Sequence, residues 1–430
     1  KTLMLKKNPH IIIIIVAALG YFVDIYDLVL FNVVKKESLT QIMTGASAEE
    51  IKQTGIFLFN MQMLGMLIGG ILWGVWGDKK GRLSVLFGSI ILYSLANIAN
   101  AFTYTIPLYA IVRVIAGIGL AGELGAGIAL VSETMSKEKR GYGTMIIVTF
   151  GALGAVVAAL VGAEGHYIAG ILKEISGYEF ANWQVVYIIG GLLGISLLLL
   201  RIGTIESGMF KSMKKREIKK GDFRILFKSK KNLEKYLYCI LVGVPIWYII
   251  GLLVNLSQDV FSLELKVSEP IINGKAVMYA YIGLSIGDLI SGLLSQILKS
   301  RKKVVIIYLF FSFIVMIWFL YFSHGINSSQ YYFLCFLLGT ASGYWAIFVT
   351  IAAEQFGTNI RSTVTNTVPN FVRGSVNLIT GFFSFLVAYN IDNISSALIV
   401  GIICIALAMI AILRLKDTFA KDLDYYEEII

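Results

Sequence analysis

This sequence predicts an all-α membrane protein of twelve transmembrane helices in two pseudo-symmetric six-helix bundles. Three observations carry the prediction. Of the 430 residues, 57% are hydrophobic and only 15% are charged, well to the apolar side of a soluble domain. The apolar residues fall into blocks of roughly 20 or more, the length a helix needs to cross the hydrocarbon core. Polar motifs in the first half return in the second at matching helix ends.

The first block, near 10–34, carries two carboxylates, exceeds a signal-peptide core and lacks a small-residue cleavage site, so it reads as a retained span. The next five spans fall near 55–77, 83–103, 106–132, 143–170 and 184–204. A second set follows near 236–257, 274–298, 303–323, 330–353, 363–388 and 394–415. Between the sets lies the longest polar stretch, 207–235, dense in Lys and Arg. The division is therefore an N-terminal bundle over 1–206, a basic cytoplasmic linker over 207–235 and a C-terminal bundle with a short tail over 236–430.

Short loops carrying Lys79, Lys80 and Arg82, then Lys137, Lys139 and Arg140, then Lys299, Arg301, Lys302 and Lys303 all fall on the linker's side. Lys and Arg in short loops mark the cytoplasmic face, so both termini are expected there, as in a bacterial inner (plasma) membrane protein. The net charge of +10 belongs mainly to this face, where it suits anionic lipid rather than nucleic acid. Cys239, Cys335 and Cys404 lie inside apolar blocks and give neither a disulfide framework nor a metal spacing. No glycine-rich phosphate loop is present, and GIGLAG lies within a span rather than between a strand and a helix. Neither ATP hydrolysis nor dinucleotide chemistry is therefore expected, and the chain is not read as an enzyme.

The repeat is visible at two places. Glu133 precedes Arg140 by seven residues after span four, and Glu354 precedes Arg361 by seven after span ten. The loop GVWGDKKGR, Gly74 to Arg82, has a degraded counterpart in GLLSQILKSRKK, Gly292 to Lys303. Duplicated six-span halves suit a carrier that rocks about a central site.

These residues resemble the major facilitator superfamily. Gly74, Asp78, Lys79, Gly81 and Arg82 match its most diagnostic loop. RVIAGIGLAGE, Arg113 to Glu123, with Glu133 and Arg140, is similar to span four of its sugar-porter and phosphate:proton branches. DIYDLVLF, with Asp24 and Asp27, looks like span one of its proton-coupled metabolite symporters. The resemblance implies alternating access and a substrate-site acid at Glu123. It also implies a cation at Arg373 and a charge network of Asp78, Lys79, Arg82, Glu133 and Arg140 that latches one state. The sequence departs from the phosphate group at Gly251 and Gln296, where that group carries Asp.

A carboxylate in mid-membrane costs roughly 2 to 4 kcal/mol unless paired, protonated or hydrated. Spacing i and i+3 places Asp24 and Asp27 on one side of their helix, facing the bundle interior. Asp27 lies seven residues from the apparent outer end of span one, and Arg113 seven from that of span four. At 1.5 Å per residue they share a level and are expected to pair. Glu123 and Arg373 both fall near the midplane, one from each half, where a carrier holds its substrate. Arg373, always charged and fork-shaped, suits a carboxylate or phosphate. Tyr26, Tyr248, Asn370 and Asn377 are expected to line the cavity as neutral hydrogen-bonders, and Asp288 to make a structural contact in span eight.

The expected function is proton-coupled import of a small anionic solute such as an organic acid, phosphate or polycarboxylate. The protein is expected to act as a monomer in the lipid bilayer, with the proton gradient in place of any cofactor. Asp24, Asp27 and Glu123 are the proton-coupling candidates; Arg373 is the anion site. A sugar or neutral-solute symporter and an efflux pump for amphipathic compounds are the alternatives.

Overall fold

The structure, a computed structural model, describes residues 9–135, 140–206, 225–357 and 360–421. The segment 207–224, most of the basic linker, and the side chains of Arg82, Glu133 and Arg140 lie outside the described residues. Among the described residues eleven helices are long and apolar enough to cross a membrane, and a shorter apolar one, Ser84–Asn100, supplies the twelfth span.

The helices overrun the apolar blocks because a helix needs apolar side chains only where it meets lipid. Span one runs Pro9–Ile42, span two Ala48–Lys80 and span five Arg140–Ser176. Span seven already begins at Lys230, inside the stretch read as linker. Ser47 starts span two with a capping box, its hydroxyl taking the Glu50 N–H while Glu50 takes the Ser47 N–H. Asn327 and Gln330 repeat the device at the start of span ten.

Three spans are broken. Span four is Ile106–Leu120 followed by Glu123–Thr134, span ten is Ser328–Ala341 followed by Trp345–Gln355, and span eleven is Arg361–Gly374 followed by Val376–Ala388. Span seven, Lys230–Tyr248, passes Pro245 and unwinds into π-helical turns at Ile249–Val254 and Ser257–Phe261. Such interruptions survive in a membrane only where neighbouring groups satisfy the freed backbone.

The two halves meet along spans two and eleven. Asp78 receives the Thr363 N–H at 2.9 Å at the basic end, and Asn60 donates to Thr380 at 3.3 Å far along the same seam. The seam is tight because Gly74 lies against backbone: a Cβ there would come within 3.1 Å of the Thr363 Cα. Spans five and eight form the second seam, with Met145 packed on Gly292. On the opposite face the halves part around a recess of about 820 Å³ lined by Lys35, Glu49, Lys52, Asp259 and Glu269 among others.

Candidate functional site

Beneath the recess, at the meeting of the halves, lies Arg373 of span eleven. Span one brings Asp24 to it, with 3.6 Å from Arg373 Nη2 to Asp24 Oδ2. The same nitrogen donates to the Tyr21 hydroxyl at 3.3 Å, and Nη1 donates to Asn370 Oδ1 at 3.4 Å. The guanidinium lies 5.5 Å from the centre of the Trp345 ring, at the start of the lower helix of span ten. Tyr281 of span eight lies within electrostatic reach of both charges. All of these side chains are buried.

Every contact to this guanidinium is long. Among the described residues, Arg373 Nε, both Asp24 oxygens and the indole nitrogen of Trp345 have no hydrogen-bond partner. Buried polar atoms are normally satisfied, and those left over call for a reason. Here an acid, a cation and an indole donor from both halves leave hydrogen-bonding capacity that no group among the described residues takes up. Asn370 ties the site to the break in span four, donating to the Ala121 carbonyl at 2.8 Å.

Above the site a void of about 10 Å³, roughly one water by size, is walled by Leu28, Phe59, Trp247 and Tyr281 among others. Higher still, Lys35 bridges the halves. Its ammonium lies 3.0 Å from Asp259 and donates to the Asn255 carbonyl at 3.2 Å, at the turn between the two π segments. The site is therefore closed toward the recess by apolar side chains and one ion pair, and toward the basic face by the seam of spans two and eleven.

Several expected partners are exchanged. Glu123 does not meet Arg373; it is held by Arg201 of span six, Nη1 to Oε1 at 3.1 Å and Nη2 to Oε2 at 2.8 Å, with Ser89 donating at 2.9 Å. That fork is sealed inside the N-terminal half. Asp27 forms no ion pair with Arg113 within 4.0 Å. The reason is depth: span one continues to Ile42, and Ser38 lies opposite Tyr109 at 3.4 Å. Arg113 then stands level with position 34, seven residues or about 10 Å from Asp27 along the helix. It donates instead to Gln62 and, at 3.4 Å, to the Tyr187 hydroxyl, with Phe31 stacked 4.4 Å away.

Asp24 and Asp27 do not share one environment. Three residues rotate a helix by about 300°, leaving the two side chains some 60° apart. Asp24 faces the second half, whereas Asp27 lies against Gly190 of span six. Tyr26 donates to Val186 at 3.2 Å and Tyr248 to Ala397 at 2.8 Å, each within its own half. Asn377 donates to the Gly374 carbonyl at 3.0 Å, across the break in its own span. Tyr26 and Tyr248 therefore tie spans together within their halves, and the Asn377 amide is engaged within span eleven.

At the basic end Asp78 does not act within the first half alone: it accepts the N–H and hydroxyl of Thr363 near the start of the span-eleven helix. A carboxylate at a helix N-terminus gains from the exposed N–H groups and the dipole. Lys79 is exposed, and Gly81 turns the chain with φ of +95°. In the second half Glu354 lies 3.6 Å from Arg301, and Arg361 donates to the Ala353 and Phe356 carbonyls.

A sequence model of the Major Facilitator Superfamily matches residues 17–388. The chain belongs to that superfamily. It is a multi-pass membrane transporter and not an enzyme. It is 25% identical over 433 residues, 95% of this chain and 96% of the relative, to a Bacillus subtilis protein, NiaP, assigned to niacin/nicotinamide transport. It is 30% identical over 155 residues, 36% of this chain and 35% of the relative, to the 3-(3-hydroxy-phenyl)propionate transporter of Escherichia coli. In fold it is similar to the proton:xylose symporter XylE bound to 6-bromo-6-deoxy-D-glucose, with a TM-score of 0.74 at 16% sequence identity over 97% of this chain and 98% of that one. The superfamily's two-half plan accounts for the duplicated motifs and for the placement of Arg373 and Asp24 on opposite sides of one interface.

Proposed function

We propose that this protein is a proton-coupled importer of a small aromatic carboxylate, working by alternating access in a bacterial inner membrane with both termini in the cytoplasm. One observation carries the reading: Arg373 is a buried, permanent cation whose hydrogen-bonding capacity the protein leaves partly unused. A carboxylate is the natural acceptor for that fork. Beside it the Trp345 ring and the Tyr21 and Tyr281 rings offer faces and edges for an aromatic group. The relatives' named substrates, niacin and a hydroxyphenylpropionate, combine a ring and a carboxylate in this way.

Asp24 is the proton carrier in this reading. Its carboxylate and an incoming anion compete for the same guanidinium, so taking up a proton at Asp24 frees Arg373 for the substrate. The proton and the anion then travel together, and both leave when the halves rock to open the basic face. Glu123, neutralised by Arg201, serves as an interhelical bridge, and Asp27 stays within the N-terminal half. The seam around Asp78 and Thr363 and the pair Lys35 and Asp259 are the closures that alternate, since each joins the two halves on one face only.

The test uses purified protein in liposomes with an imposed pH gradient, acidic outside. The protein is expected to speed the initial gradient-driven uptake of labelled benzoate above that of protein-free liposomes, into which the neutral acid diffuses by itself, and a protonophore is expected to abolish that excess. Gradient-driven uptake of a neutral sugar, with no such excess for benzoate, nicotinate or an aliphatic acid, would overturn the assignment.

A further inference from the structure

Asp288 belongs to none of the roles above. It lies fully buried in span eight, one step from Gly287, and its carboxylate reaches the break in span ten. There the helix Trp345–Gln355 starts without a cap of its own: Tyr344 precedes it, and the Tyr344 hydroxyl is turned away to donate to the Val242 carbonyl at 3.0 Å. The first N–H groups of a helix have no partner inside the helix and must find one elsewhere. Asp288 Oδ1 takes the Ala346 N–H at 2.9 Å, and the Trp345 N–H also points at this carboxylate.

The surroundings hold that contact in place. Spans eight and ten touch backbone to backbone, since a Cβ on Gly343 would fall 2.4 Å from the Gly287 Cα. From span nine, Tyr308 donates to the Gly287 carbonyl and Ser312 to the Ala341 carbonyl, each at 2.9 Å. Both sides of the break are thus tied to neighbouring helices. The residue that begins the capped helix is Trp345, whose ring stands over Arg373 and is backed by Phe348 at 5.1 Å between ring centres. The position of the ring follows from the position of its backbone, and the backbone is fixed by a side chain of another span.

We propose that Asp288 is a positioning residue for the anion site: by capping the lower helix of span ten it sets the Trp345 ring over Arg373 and so confers preference for aromatic over aliphatic carboxylates. The proposal rests on the carboxylate reading of Arg373. It predicts that the acceptor oxygen, not the charge, is what matters. An Asn keeps that oxygen and an Ala does not.

Binding of benzoate and of cyclohexanecarboxylate, which has the same carbon skeleton in a slightly bulkier puckered ring without a π face, is measured by titration calorimetry on detergent-purified protein. Asp288→Ala and Trp345→Leu are each expected to cut benzoate affinity by about five- to tenfold and to leave cyclohexanecarboxylate nearly unchanged. Asp288→Asn should behave as the parent protein, and the Ala and Leu substitutions combined should cost no more than either alone. Equal losses for both acids, damage by Asn matching that by Ala, or additive effects would each overturn the proposal. Should the parent protein bind neither acid, the carboxylate reading fails, and acrylamide quenching of indole fluorescence, taken as the difference from Trp345→Phe, still decides the positioning. Quenching that rises with Asp288→Ala but not with Asp288→Asn supports it; quenching unchanged by Asp288→Ala sinks it.

Discussion

Arg373→Gln is expected to weaken carboxylate binding by about 30-fold or more, because truncating one member of a buried charge pair costs roughly 2 to 5 kcal/mol and each 1.4 kcal/mol is tenfold. The loss has two sources that can be separated. One is the missing fork for the substrate; the other is Asp24, left buried without the cation that lies 3.6 Å from it. Adding Asp24→Asn to Arg373→Gln removes the second source and is expected to restore thermal stability without restoring binding. Arg373→Lys keeps the charge but not the planar fork, so its affinity should fall between the two. Competition binding with labelled benzoate checks the series, and parent-like affinity in Arg373→Gln would contradict the site.

Arg201→Ala is expected to have the largest effect on stability rather than on transport chemistry. Glu123, Arg201 and Ser89 form a closed set of short hydrogen bonds with almost no exposure. Removing one partner of a buried pair strands the other charge and typically costs about 3 to 5 kcal/mol. Arg201→Met combined with Glu123→Gln replaces the pair by neutral groups of similar size and should recover most of that loss. Thermal unfolding of the detergent-solubilised protein measures both. A single substitution that melts like the parent protein would show that the bridge contributes little.

Much of this was legible in the sequence for one reason: charge inside an apolar block is costly, so Asp24, Glu123, Arg113, Arg373 and Asp288 announce themselves. The loop from Gly74 to Arg82 and the twelve apolar blocks did the same for the fold. What the sequence concealed is which charge meets which. The ends of apolar blocks give only an approximate depth, and span one continues as helix through KKESLTQI, where polar side chains no longer mark its end. Asp27 therefore lies deeper than its block suggests, out of level with Arg113.

Arg201 carries no such signal because it sits in LLLLRIG at the end of the sixth block, where a cation reads as a boundary anchor. Its length lets it reach back to Glu123. Trp345 and Tyr21 were hidden for the opposite reason, since an aromatic residue in an apolar run carries no cost that would single it out. The break before Trp345 had a faint signal in SGY, residues 342–344, but no side chain nearby in sequence caps the new helix; the cap comes from span eight, 58 residues away.

The most direct test of the central claim, that Asp24 and Arg373 share one site where proton and anion are exchanged, is a comparison of two modes of transport in Asp24→Asn. Liposomes preloaded with benzoate should exchange it for labelled benzoate at a rate near that of the parent protein, because Arg373 is left free to bind the anion. Under an imposed pH gradient, liposomes of this variant without the preload should take up the labelled acid no faster than protein-free liposomes. Uptake as fast as that of the parent protein would contradict the account.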